Sequence, residues 1–254
     1  SLISYCSTTS RNPITNEKQH IAMTVDQEIA LGLQAAPEMA AQFGGPATDD
    51  EAGQRLVARV GRRIIDSSSA GSSDYRFHFT LLRDPETINA FALPGGQVFI
   101  TEGLLKRLTT EGELAGVLGH EIGHVVARHG AEHIAKEKLT QGLTGAAVIA
   151  TTDPNNPNSR YSAGMAILVG KLVNLRFSRQ DELEADSLGV RFMSEAGYDP
   201  RSMLQVMRIL ADASRGGMSP EFFNTHPNPE HRMTRIESAI EKQFPHGVPD
   251  GLEP

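Results

Sequence analysis

His120-Glu121-Ile122-Gly123-His124 lies inside an apolar-periodic run that extends over residues 111–138. Read as one helix capped by Thr110, that run puts residues four apart on one face, so His120 and His124 point the same way. Two imidazoles so placed can hold one Zn²⁺. The Glu beside the first His can then reach a water polarised by the ion and take its proton. Polarised water together with a general base is what hydrolysis of a peptide bond requires.

Further along the same helix, at about 100° per residue, His129 falls about 140° from His124 and His133 about 180° from it. Neither could join the same ion, and both are expected on the surface or in helix packing. Ala127 and Gly130 stand where a three-histidine zincin pattern needs Gly and His. A catalytic zinc usually takes three protein ligands and leaves one position for water. Cys6 is the only cysteine, so neither a disulfide framework nor a Cys-rich zinc site can be built, and the third ligand is expected downstream. Asp181-Glu182-Leu183-Glu184-Ala185-Asp186 offers several carboxylates. Glu182 and Asp186 share a helical face, whereas Glu184 is about 200° from Glu182. Glu182 is therefore read as the ligand and Asp186 as the group that holds a ligand imidazole by its other N–H. Spacing alone leaves an acidic, solvated face open.

The chain of 254 residues is 39% hydrophobic, enough to bury the core of one large domain or two small ones. A net charge of −7 argues against a nucleic-acid partner, which would want a basic face. No stretch reaches the ~18 to 20 apolar residues needed to cross a bilayer; the nearest, residues 162–175, is interrupted by Lys171. A soluble domain is expected.

Around the metal helix the pattern is mixed. Residues 1–23 read as a polar tether, followed by a helix at 24–43 with Ile29, Leu33, Ala36 and Ala40 on its apolar side. A second helix begins at Asp49 and carries Leu56, Val57, Val60, Ile64 and Ile65. Tyr75, Phe77, Phe79 and Leu81 then alternate with polar residues, as in a strand with one buried face, and His78 points away from it. Two short strands, 88–93 and 97–101, flank the turn Pro94-Gly95-Gly96. Residues 102–108 read as a short helix, 142–150 as a small-residue run, 152–160 as a loop, and a helical region begins near Tyr161. Met203, Val206, Met207 and Leu210 are core-spaced on a helix before Arg215, and a last helix precedes Phe244. The expected fold is α+β and mostly helical: one domain over 24–245, a three-stranded sheet packed on the metal-binding helices, and a tail at 246–254.

His120-Glu121-Ile122-Gly123-His124 with Ala127-Arg128-His129, and Phe177-Ser178-Arg179 running into Glu182-Leu183-Glu184-Ala185-Asp186, resemble the HtpX/BepA-like family of zinc metallopeptidases. These are gluzincins related to the CaaX prenyl proteases. The resemblance extends to residues 89–96 and to Gly197-Tyr198-Asp199-Pro200, and covers about 12–240. Asn12-Pro13-Ile14-Thr15 ahead of Glu28-Ile29-Ala30-Leu31-Gly32 is similar to the periplasmic, lipoprotein-type branch without transmembrane helices.

The resemblance implies a zincin-like fold and one Zn²⁺ per chain on His120, His124 and Glu182, with Glu121 as the general base. It implies that Asn89, Ala90, Phe91 and Ala92 form an edge strand that pairs with an extended substrate. It also implies that His226, in Thr225-His226-Pro227, can take the fourth metal position; without the resemblance His226 is a loop histidine. Arg179 and His226 are candidates for stabilising the oxyanion. The activity implied is hydrolysis of misfolded or unfolded envelope proteins. The alternatives are a latent, His-plugged zinc protein acting mainly as a chaperone or assembly factor, and a different zinc amidohydrolase. Cys6 follows what looks like the end of a removed leader and resembles the acylated residue of a bacterial lipoprotein, although Tyr5 departs from the small residue preferred there. An acylated Cys6 would anchor the protein to a membrane; an artefact of expression is the other reading.

Overall fold

The computed structural model of the chain describes residues 9–21, 23–140, 167, 169–170, 172, 175–216, 220–227 and 231–254. Cys6, the small-residue run 142–150, the loop 152–160 and the helix start near Tyr161 lie outside the described residues. The elements are β1 (Thr9–Arg11), β2 (Lys18–His20), α1 (Val25–Ala41), α2 (Glu51–Ser67), a 3-10 turn (Ser69–Ser72), β3 (His78–Leu82), β4 (Ala90–Leu93) and β5 (Gln97–Thr101). They continue with α3 (Glu102–Leu105), α4 (Glu111–Val126), α5 (His129–Thr140), α6 (Arg179–Glu195), α7 (Ser202–Arg215), α8 (Phe222–Thr225) and α9 (Arg232–Gln243). The fold is mostly helical with a small mixed sheet, as expected. Among the described residues no helix is long and apolar enough to cross a membrane.

The three-stranded sheet runs in the order β3-β5-β4, with β5 parallel to β3 and antiparallel to β4. Alternation sends Phe79, Leu81, Val98 and Ile100 to one face, where α2 and α4 supply Val57, Val60, Leu114, Leu118 and Ile122. The opposite face holds Leu82, Phe91, Leu93 and Phe99, and α1 covers it with Leu31, Ala35 and Met39. The expectation that the first strand buries one face only is therefore corrected. Residues 79–82 are all buried, and only His78 of β3 is exposed. Strand β4 remains an edge, paired to β5 alone among the described strands.

Helix α1 packs through a different face from the one its large apolar residues suggest. Leu33 is 56% exposed, while Glu28, Leu31, Gly32, Ala35 and Met39 are buried. Close approach sets this rotation: a Cβ on Gly32 would lie 2.0 Å from the carbonyl oxygen of Pro94. Glu28 can be buried because the Tyr75 hydroxyl donates to its Oε2 at 2.9 Å and Arg128 Nε to its Oε1 at 2.8 Å. An unpaired carboxylate there would cost several kcal/mol.

Neither end of the described chain is a free arm. Within the expected tether, the described residues 9–20 form a β1–β2 hairpin docked on the end of α4, where the Asn12 side-chain amide donates to Val126 O at 2.7 Å and Gln19 donates to Ala127 O. The expected tail also docks: Asp199 N donates to Glu253 O at 2.8 Å, and Gly112 N, in the first turn of α4, to Pro254 O at 2.9 Å. Both contacts draw residues outside 24–245 into the packed domain.

Candidate metal centre

Helix α4 begins with a capping box: Thr110 accepts from Glu113 N, and the Glu113 carboxylate accepts from Thr110 N. Such a cap contributes about 1 kcal/mol and sets where the first turn starts. The helix then runs through the core with residues 112–126 all buried. His120 Nε2 and His124 Nε2 stand 3.1 Å apart. A second capping box, Ser178 with Asp181, opens α6 and brings Glu182 against them. Glu182 Oε1 is 3.3 Å from His124 Nε2, and Oε2 is 3.5 Å from His120 Nε2. His226 follows α8 and places Nδ1 3.3 Å from His120 Nε2 and 3.1 Å from Glu182 Oε1.

These four buried residues offer ligand atoms that all lie within 4.8 Å of one another. Four donors held tetrahedrally about 2.0–2.1 Å from an ion are about 3.3–3.4 Å apart. The separations of 3.1–3.5 Å are of that order, with Glu182 reaching His124 and His226 through Oε1 and His120 through Oε2. Three imidazole nitrogens and one carboxylate suit a borderline-soft divalent ion. Such crowding of lone pairs among buried groups favours a cation between them. The residues fit a metal.

Supporting contacts fix the ring planes and protons. His120 Nδ1 donates to Asp186 Oδ1 at 2.8 Å, so its Nε2 carries the lone pair. Arg232 grips Asp186 with two N–H groups, Nε to Oδ2 at 2.7 Å and Nη2 to Oδ1 at 2.8 Å, and its Nη1 is 3.1 Å from Glu182 Oε2. The Phe177 ring stacks on His124 at 3.9 Å and Phe222 on His226 at 4.3 Å. Burial alone would raise the pKa of Glu182, but His226, His124 and His120 outweigh it and hold the group well below the usual carboxylate range. Burial pushes His124 well below the ordinary histidine value, with His120 and His129 adding to the effect against Glu182. A neutral imidazole beside an ionised carboxylate is what a divalent ion requires of its ligands.

Glu121 is fully buried, and neither carboxylate oxygen has a hydrogen-bond partner. Its Oε1 lies 3.6 Å from His226 Nε2. Burial raises its pKa, opposed by His226 and His120. Beside the cluster is a pocket lined among others by Phe43, Asn89, Phe91, Leu172, Phe177 and His226. Asn89 Oδ1 is buried there without a partner.

The structure thus gathers His120, Glu121, His124, Glu182, Asp186 and His226, and lays Asn89, Ala90, Phe91 and Ala92 along the neighbouring edge. Arg179 is exposed on the first turn of α6. The expected single helix over 111–138, from which the positions of His129 and His133 are reckoned, needs correction. Helix α4 stops at Val126, Arg128 takes φ +63, and α5 restarts the chain in a new direction, so helical arithmetic from His124 fails. His129 is buried with Nδ1 2.8 Å from His124 Nδ1, and His133 Nε2 is 2.6 Å from Asp181 Oδ2. Sequence reasoning also missed Arg232, although a signal existed. It shares the i, i+4, i+8 register of Ile236 and Ile240, a charged residue on a core stripe.

The sequence model of peptidase family M48 matches residues 51–240. The chain belongs to peptidase family M48. M48 members are metal-dependent peptidases, in accord with the buried cluster. The Schizosaccharomyces pombe mitochondrial metalloendopeptidase OMA1 is 36% identical over 228 residues, which cover 89% of this chain and 64% of that protein. The β-barrel assembly-enhancing protease of Escherichia coli is 31% identical over 234 residues, covering 88% of this chain and 46% of that protein. This M48 chain therefore spans 46–64% of the length of these relatives.

Proposed function

We propose that the protein is a zinc-dependent endopeptidase acting on unfolded or misfolded polypeptides of the cell envelope. The observation that carries the reading is the buried Glu121 carboxylate, whose oxygens accept no hydrogen bond, beside a buried cluster of four potential ligand residues. A charge left bare in a core is costly, so its role is to meet something that arrives with substrate.

His120, His124 and Glu182 would hold one Zn²⁺. When bound, zinc supplies Lewis-acid polarisation of a carbonyl and acidifies water. Glu121 takes the proton of the attacking water and returns it to the leaving amine. The open edge of β4 offers an extended peptide main-chain hydrogen bonds, and Asn89 Oδ1 adds an acceptor beside the pocket. Envelope location draws on the name of the E. coli relative and on Cys6, whose acylation would anchor the protein to a membrane.

One observation supports a second reading. His226 Nδ1 lies 3.3 Å from His120 Nε2 and 3.1 Å from Glu182 Oε1, where as a fourth ligand it would exclude water and keep the protein latent as a chaperone or assembly factor. Cleavage of casein with added zinc, with chelator, and by Glu121→Gln separates the two. Endopeptidase action predicts zinc-dependent cleavage that falls ~10²- to 10⁴-fold in Glu121→Gln with metal content unchanged. Equal cleavage by both proteins would remove Glu121 from the chemistry, and no cleavage by either would favour the latent reading.

A further inference from the structure

We propose that His129 and Glu184 form a hydrogen-bonded relay that holds His124 in its metal-ligating tautomer. The proposal rests on the reading of His124 as a ligand.

The proton positions follow from the distances once His124 ligates through Nε2. A ring that ligates through Nε2 carries its hydrogen on Nδ1, which must therefore donate. The atom that faces His124 Nδ1, at 2.8 Å, is His129 Nδ1. That nitrogen can accept only if it carries no hydrogen, which places the His129 proton on Nε2. His129 Nε2 lies 3.3 Å from Glu184 Oε2, the acceptor this register needs. A doubly protonated His129 would set two N–H groups against each other at the buried contact. With His124 ligating through Nε2, one arrangement satisfies all four atoms: His124 donates to His129, and His129 donates to Glu184.

The two helical ligands are thus supported differently. His120 has a carboxylate directly behind it, Asp186, whereas His124 has a histidine with a carboxylate one step further out. The αL conformation of Arg128 turns the chain back and makes the contact reachable. That conformation is braced from the N-terminal side: Arg128 Nη2 donates to Met23 O at 2.6 Å and Nε to Glu28 Oε1 at 2.8 Å. Asn12 and Gln19 meanwhile take up the carbonyls of Val126 and Ala127. His129 and Glu184 are positioning residues and touch no substrate.

The test is zinc affinity of the full chain, measured by competition with a chromogenic chelator. His129→Leu should weaken binding ~10- to 100-fold, the usual effect of losing such a partner. His129→Gln, whose amide oxygen can accept from His124, should recover part of the loss, and Glu184→Gln should weaken binding by a few-fold. Long-range ¹H–¹⁵N spectra of the zinc-loaded parent read the same proposal without substituting a buried residue. His129 should be neutral and protonated at Nε2. Affinity within threefold of the parent in His129→Leu, or a His129 protonated at Nδ1, would overturn the relay. A parent protein that binds no zinc would overturn the metal centre itself, and the relay with it.

Discussion

His226 is buried against the other potential ligands. It is 0% exposed, held under Phe222, and directs Nδ1 at His120 and Glu182 while Nε2 faces Glu121. An imidazole in that position occupies the space a catalytic water needs. His226→Ala leaves His120, His124 and Glu182 in place, so the protein should retain zinc and cleave casein several-fold faster, or cleave itself. Zinc content and initial rate, measured on the same preparation, check this. A lower rate with unchanged zinc would give His226 a part in stabilising the transition state instead.

At the scale of elements, the centre depends on how closely α4 and α6 approach. The helices meet through glycines: a Cβ on Gly123 would lie 2.9 Å from Ala185 O and 3.1 Å from Ala185 Cα. A Cβ on Gly119 would sit 3.3 Å from Gly189 O. Glycine in a helix interior costs about 1 kcal/mol against alanine, so its use at this crossing trades helix propensity for contact. Backbone is what a side chain at Gly123 would strike, so relief requires the helices to part. Gly123→Val should therefore lower the melting temperature of the metal-free protein, with overpacking costing about 1–3 kcal/mol. It should also weaken zinc binding, since His120 and His124 ride on one helix and Glu182 on the other. Gly216→Ala, where the nearest atoms are at 3.5 Å, is the control and should change neither. A Gly123→Val protein with parental zinc affinity would show that the crossing does not set the ligand spacing.

For the whole molecule, the core carries a cluster of four potential ligands that a bound cation would hold together. An ion bound to the folded state alone stabilises it by RT ln(1 + [L]/Kd), about 4 kcal/mol at a thousandfold excess over Kd. Spread over a chain of this size, that is a rise of about 8–16 °C in melting temperature. Calorimetry with zinc, after chelation, and after zinc is restored should show a loss of that order and its recovery. Identical melting in all three would mean that the cluster does not hold the metal in solution.

Much of this could be read from sequence, because the chemistry is local. His120, Glu121 and His124 lie within one helical turn and a half, so a single periodicity determines their common face. The helix starts were legible for the same reason, since Thr110 with Glu113 and Ser178 with Asp181 act over three residues. Mostly helical α+β architecture also followed from local period. The partners across the fold did not. Spacing left Glu182 level with a solvated acidic face until packing placed it 3.3 Å from His124. The helix break at Arg128 is imposed by Glu28 and Met23 O, residues about a hundred positions earlier, so a continuous helix was the natural but wrong extrapolation. For α1, periodicity pointed to Leu33, whereas the buried face was decided by contact with the Pro94 turn and by a charge pair able to bury Glu28. Local pattern determined which residues could do chemistry. Tertiary packing decided which of them meet, because desolvation, close backbone approach and buried ion pairs exist only after distant segments have come together.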